Sequence, residues 1–411
     1  MDKVFSSADI LLPDFIGDAQ QAKKWAVIAC DQFTSEPEYW QKAETIVGDA
    51  PSTLKMILPE AYLSGDSASR LPKIADSMHA YAQGLLKEYN NAMIYVQRTI
   101  GSGEVRHGIV GKIDLEAYDY SVGSVSAVRA TEGTVLERIP PRVEVRRAAS
   151  LELPHIMLLI DDKAQGIIEP LAAQTDSMER LYDFDLMLDG GHIEGYVLSS
   201  TQQMKLTESL SALFAKNAGS IRYAVGDGNH SLASAKARYE ELKAEIGERA
   251  LTHPLRYALC EVVNLHDAAL VFEPIYRLVR TKNKADLIES LTAYGKQCGA
   301  GSQTVECLYS GKKESISLGA GTHTLTVGTL QKFLDVYRSS HPEIEIDYIH
   351  GRDSIEKLSA ESDAIGFVFD GMRKEELFAA VEKDGALPRK TFSMGEAREK
   401  RYYIECRNIT E

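Results

Sequence analysis

The chain has 411 residues, of which 44% are hydrophobic and 26% charged, with a formal net charge of −14 at pH 7. That length exceeds what a single hydrophobic core fills, so two or three packed units are expected, and no apolar run of about eighteen residues is present to span a bilayer as a helix. The acidic balance repels a polyanion over most of the surface, so nucleic acid is not an expected partner, whereas small phosphorylated anions remain compatible because salt screens distant charge beyond roughly 8 Å.

The five cysteines, Cys30, Cys260, Cys298, Cys307 and Cys406, are scattered and never form a CxxC. They point away from a disulfide framework or a thiolate zinc site and fit a reducing compartment. With no signal-peptide pattern at the N-terminus, a cytoplasmic location is expected. The ten histidines show no HExxH and no close pair, so a dedicated transition-metal site is not expected.

From Asp14 to Tyr89 an apolar run, AVIAC, precedes DQFTSEPEYW and helix-like stretches with apolar residues three and four apart. The segment DQFTSEPEYW reads equally as a small polar pocket around Asp31 or as a capped helix start at Ser35 to Glu38. AMIYVQRTI and VRHGIVGKIDL read as a hairpin with Gly101 and Gly103 in the turn. Pro140 and Pro141 mark a helix start, LPHIMLLID reads as a short strand, and YDFDLMLDGGHIEGYVLSS reads as a second hairpin turning at Asp189, Gly190 and Gly191. A helix near QMKLTESLSALFAK is followed by the strand IRYAV, the turn GDGN and the helix HSLASAKARYEELKAEIG, and then by the strands LRYALCEVVNL and AALVFEPIYRLV. Alternating helices and strands fill the remainder. The expected division is a mainly helical segment over 1–90, a central α/β core over 91–280 and a C-terminal α/β unit over 281–411.

The turn after IRYAV carries the best candidate site. Gly226 and Gly228 permit positive φ and close backbone approach, and the next helix presents unpaired N–H groups and the positive end of its dipole. A phosphate suits that place. Asp227 is a candidate magnesium ligand, while Asn229, His230 and Ser231 lie where they can meet phosphate oxygens. The alternative is an ordinary tight turn with Asp227 or Asn229 as the helix N-cap.

A second cluster, RATEGTVLERIPPRVEVRR, places Arg129, Glu132, Thr134, Arg138, Arg142, Arg146 and Arg147 close together in an otherwise acidic chain. It is either an anion-docking stretch or a solvated helix paired with Glu137, Glu144 and Glu152. The mixed polar and aromatic segment at Asp31 and the run LPRKTFSMGEAREKRYY, with Arg389, Lys390, Thr391 and Ser393, are further candidates for a polar pocket and a phosphate clamp.

Through CDQFTSEPEYW, RATEGT, RRAASLELPHIMLLIDD, VGDGNHSLA, HPLRYALCEVVNLHD and PRKTFSMGEA, the chain resembles, over nearly its full length, a bacterial family catalogued as domain of unknown function number one thousand and fifteen. More distantly, Glu132 together with DGNHS resembles the superfamily of ParB nucleotidases, sulfiredoxin and the free-serine kinase. There a D-G-H-H-R type turn before a helix binds nucleotide phosphates, and a glutamate of the kinase acts as base on the substrate hydroxyl.

The resemblance implies a mixed α/β (α+β) fold whose central ParB/sulfiredoxin-like nucleotide-binding core is flanked by the N-terminal and C-terminal units. It also implies that Asp227, Gly228, His230 and Ser231 bind phosphate and Mg²⁺, and that Glu132, Thr134 and Arg142, matching an E-x-T and arginine spacing, belong to the same site. Ser231 stands where the superfamily has arginine and Asn229 where it has the first histidine. Arg129, Arg142, Arg146 and Lys390 are the candidates to supply the missing cation.

The function so implied is transfer of a phosphoryl group from a nucleotide, ATP or ADP with Mg²⁺, to a hydroxyl of a small metabolite. In that reaction Glu132, Asp227 and His230 are the catalytic candidates. A nucleotide-binding switch without transfer chemistry and a nucleotide or phosphate-ester hydrolase are the alternatives.

Overall fold

Alternation along the strand runs separates two apolar layers. Ile94 and Val96 point to one side of AMIYVQRTI and Tyr95 to the other; Val110 and Ile109, then Leu259 and its neighbours Ala258 and Cys260, repeat the division. In the computed structural model, which describes residues 4–63, 67–121, 123–216 and 221–411, the chain divides into two units. The first is Met1–Ala130, Thr134–Leu270 and Glu396–Glu411; the second is Thr131–Gly133 and Val271–Gly395.

The first unit is built on a mixed sheet of ten strands among the described residues. In spatial order its path runs Glu179–Asp185, His192–Val197, Ile94–Thr99, Val105–Asp114, Tyr257–Asn264, Met157–Ile160, Tyr223–Asp227, Val128–Ala130 and Tyr118–Asp119, with Phe5–Ser6 paired to Val105–Asp114. The two expected hairpins are present as antiparallel pairs. Met157–Ile160 runs parallel to Tyr257–Asn264, and Tyr223–Asp227 runs parallel to Val128–Ala130.

One face of this sheet packs against Trp25 and Trp40 of the N-terminal helices. The other packs against Leu206 and Leu210 of the helix Ser200–Lys216 and against Leu232, Tyr239 and Leu242 of the helix Asn229–Ile246. Each fully buried aliphatic side chain contributes about 1.5–3 kcal/mol relative to exposure. That packing holds the Asn229–Ile246 helix against the sheet.

The second unit has an antiparallel sheet of six strands among the described residues, ordered Lys312–Gly319, Gln303–Tyr309, Ala364–Val368, Phe272–Arg280 and Glu345–His350, with Phe392–Met394 added to Phe272–Arg280.

Three local expectations differ. The strand in AALVFEPIYRLV, expected to close the central unit, pairs with Glu345–His350, Ala364–Val368 and Phe392–Met394 and so belongs to the second sheet. The stretch near residue 90, expected as a boundary, lies inside the first unit, where Leu86–Ala92 pairs with Ala8–Pro13. The helix expected to be capped near Ser35 begins at Pro37, and its N-cap, Glu36, makes no side-chain capping bond; the proline ring fixes the start by pre-setting φ. No helix among the described residues is long and apolar enough to cross a membrane.

Candidate functional site

The strand Tyr223–Asp227 delivers the turn by pairing on both edges: Met157 stands opposite Asp227 on one side and Ala130 opposite Val225 on the other. Gly228 then takes φ 79 and ψ 27, and Asn229 opens an eighteen-residue helix. Neither Asp227 nor Asn229 caps it. The N-cap is Gly228, which has no side chain to offer, so the first N–H groups of the helix receive no side-chain cap. A Cβ at residue 228 would lie 3.0 Å from Cα of Ile156 and 3.4 Å from Cδ2 of His155, so both the conformation and the close approach require glycine.

Asp227 Oδ1 accepts the N–H of Gly228 at 2.9 Å, and its Oδ2 lies 3.3 Å from Nζ of Lys400. Nε2 of His230 accepts the backbone N–H of Val135 at 3.2 Å. In the neutral ring Nδ1 therefore carries the proton. Burial, followed by the guanidinium groups of Arg142 and Arg138, pushes the pKa of His230 down to about 4, so the imidazole is a neutral donor near pH 7.

Two polar atoms at this place, Oδ1 of Asn229 and Oγ1 of Thr134, are buried with no hydrogen-bond partner among the described residues. Gly226 and Ser231, the remaining candidates of the turn, are half-buried beside them in sequence.

Arg142 pairs with Glu60, which had not been expected, and donates to the carbonyl of Arg138 at 2.7 Å. The other arginines of that helix divide: Arg146 pairs with the buried Glu152, whereas exposed Arg147 pairs with Glu144 and Glu241. Arg129 is 5% exposed and donates from Nε to the carbonyl of Ser126 at 2.9 Å.

Asp31 faces His155, whose Nε2 is 3.9 Å from its Oδ2, while Nδ1 of His155 is 2.7 Å from the hydroxyl of Tyr403. Burial alone would raise the Asp31 pKa, but His155, a hydrogen bond from Gln32 and the charge of Lys400 hold it below the usual carboxylate range. His155, Glu60, Tyr403 and Lys400 were not legible as site residues, since their contacts join segments far apart in the chain.

Glu132 and Lys390 belong to the second unit. There Glu132 Oε1 accepts the N–H of Thr391 at 3.2 Å, and Glu132 and Leu387 form a parallel bridge. Burial raises the Glu132 pKa, although the N–H groups of Lys390 and Thr391 and the charges of Lys390 and Arg277 oppose the rise. Arg277, fully buried, donates to the Lys390 carbonyl at 3.0 Å and to Gln331 at 2.6 Å, which secures this loop. Two candidates distant in sequence, Glu132 and Lys390, are thus neighbours. Thr134, Arg142 and Gly226 to Ser231 lie in the first unit.

On the paired strands Glu179–Asp185 and His192–Val197, Asp183, His192 and Glu194 bring potential metal-ligand atoms within 4.8 Å of one another. Arg180 already pairs with Asp183, and the cluster lies at a half-exposed sheet edge.

The fold and this turn define a mixed α/β protein with a polar seat at the head of a helix. The chain belongs to the family described as "Protein of unknown function (DUF1015)", which matches residues 15–337. No curated protein matches it. Among solved structures, the chain is similar to a free serine kinase variant in complex with ADP, at 12% identity and a TM-score of 0.40, covering 75% of this chain and 93% of that one. A free serine kinase variant in complex with AMP gives 11% identity and a TM-score of 0.41, covering 76% and 94%. A conserved hypothetical protein from Pyrococcus furiosus gives 12% identity and a TM-score of 0.36, covering 73% and 95%.

Proposed function

We propose that the head of the Asn229–Ile246 helix binds the phosphates of a nucleotide, and that the protein is a nucleotide-dependent phosphotransferase acting on a hydroxyl of a small metabolite. One observation carries the phosphate seat: the helix start has no side-chain cap, so its first N–H groups are open to a ligand, and the buried Thr134 hydroxyl, which can donate, has no partner among the described residues. A buried unsatisfied polar group costs about 1–3 kcal/mol, which a ligand that bonds to it recovers. The helix dipole selects an anion for that role.

The residues fit such a ligand. Gly228 leaves the backbone uncovered, the amide of Asn229 and the hydroxyl of Thr134 can donate to phosphate oxygens, and neutral His230 offers Nδ1–H. Asp227, oriented by its bond to the Gly228 N–H, keeps lone pairs for a magnesium ion. When bound, the nucleotide supplies the phosphoryl group, its terminal P–O bond breaking as a bond to the acceptor oxygen forms, and Mg²⁺ neutralises the charge on the phosphates. Glu132 is the proposed base for the hydroxyl proton, the role that the resemblance to the free-serine kinase implies for it; burial raises its carboxyl pKa.

The test is thermal unfolding of the purified protein with ATP, ADP and AMP, each with and without Mg²⁺. A ligand at a hundred times its Kd adds about 2.7 kcal/mol of stability. A magnesium-dependent shift lost in Asp227→Ala and His230→Ala supports the seat, and no shift with any nucleotide removes it. Phosphate release without an acceptor would identify a hydrolase, and binding with no turnover in the presence of varied hydroxylated acceptors would identify a switch.

A further inference from the structure

The residues after Glu396 return to the first unit. Tyr402 pairs with Ile28 and Tyr403 with Val27, and the N–H of Ala29 donates to the carbonyl of Arg401 at 2.9 Å. This short ladder carries Lys400 to the head of the strand Tyr223–Asp227. The Lys400 ammonium reaches Asp227 Oδ2 at 3.3 Å, with the two side chains 14% and 17% exposed. The contact therefore lies at the edge of the solvent, next to the uncapped helix start.

Of the other cations near the turn, Arg138, whose charge helps to lower the His230 pKa, lies exposed, and two more are engaged. Arg142 is held by Glu60 and by the Arg138 carbonyl, and Arg129 is buried on its strand. His230 is neutral. Asp227 is oriented independently of Lys400, because its other oxygen accepts the Gly228 N–H. Lysine also suits a movable role: its ammonium is a compact charge on a four-carbon stem with three donors, and the Asp227 contact uses one of them.

We propose that Lys400 is the phosphate-binding cation of this seat, held by Asp227 in the ligand-free chain and transferred to phosphate oxygens when a nucleotide binds. The inference rests on the phosphate seat proposed above and names the residue that neutralises the ligand there. The Lys400–Asp227 pair then keeps the seat compact before binding, and the incoming phosphate replaces the carboxylate as partner of the ammonium.

The experiment is calorimetric titration of the full chain with ATP, ADP and adenosine in Mg²⁺, for wild type, Lys400→Met, Lys400→Arg and Lys400→Gln, with melting temperatures measured without ligand. Lys400→Met should weaken ATP and ADP by about tenfold or more, the scale of a lost charge-assisted hydrogen bond, while adenosine changes little. Lys400→Arg should recover most of the loss, since it restores the charge.

Equal ATP affinity in wild type and Lys400→Met would overturn the role of Lys400 while leaving the seat intact. Equal loss for ATP and adenosine would overturn it too, by making the residue a general support of the fold. If Lys400→Met fails to fold, Lys400→Arg and Lys400→Gln decide: the role requires that ATP binding survive in the former and weaken by about tenfold in the latter. Absence of ATP and ADP binding in wild type would remove the seat and this inference together.

Discussion

The backbone N–H of Val135 donates to Nε2 of His230 across 3.2 Å and joins the segment after the TEGT turn to the first turn of the Asn229–Ile246 helix. Through this bond His230 orders its neighbours only while its ring is neutral, which makes the contact sensitive to acid.

The ordinary pKa of His230, 6.5, falls to about 4 in the folded chain, first through burial and then through Arg142 and Arg138. Between those values the unfolded chain takes up a proton that the folded chain does not, so stability declines as pH falls through that window and this contribution is absent above it. In His230→Gln, which keeps an acceptor for Val135, the urea midpoint should vary less over the same window. An identical slope in both proteins would show that His230 does not titrate in this way.

Gly228→Ala should destabilise the first unit by about 1–3 kcal/mol, because φ is 79 and the new Cβ would stand 3.0 Å from Cα of Ile156. Gly17→Ala is the comparison: nothing lies within 4 Å of its Cβ position and its φ is not in the left-handed region, so a change within about 0.5 kcal/mol is expected. Urea denaturation of both variants checks the difference.

The pair Arg142 and Glu60 separates a binding arginine from a structural one. Arg142→Ala should weaken ADP binding several-fold if its guanidinium acts on the bound phosphates, whereas Glu60→Gln, which frees that guanidinium, should leave affinity unchanged or raise it. If both substitutions lower the melting temperature and neither alters the dissociation constant measured by titration, Arg142 serves only the ion pair.

For Glu132, the change to Gln should reduce phosphoryl transfer by at least about a hundredfold with little effect on nucleotide affinity. Because burial raises its pKa, the wild-type rate should fall as pH drops through that raised value, where the carboxylate gains a proton. Undiminished transfer in Glu132→Gln would end its assignment as base.

Period and punctuation in the sequence were enough for the hairpins at Ile94–Thr99 with Val105–Asp114 and at Glu179–Asp185 with His192–Val197, and for the strand, glycine turn and helix around Gly228. These depend on contacts between near neighbours and on φ preferences that a few residues carry. The partners of the candidate side chains were of another kind. That Phe272–Arg280 joins the second sheet, that Lys400 reaches Asp227, that Glu60 holds Arg142 and that Tyr403 meets His155 all follow from strand pairings and packing between segments remote in sequence. Residue type announces the charge or donor of Lys400 and Glu60, but only the completed tertiary structure determines which opposite group lies within hydrogen-bond distance, because that distance is set by the registers of strands such as Tyr402–Tyr403 on Val27–Ile28.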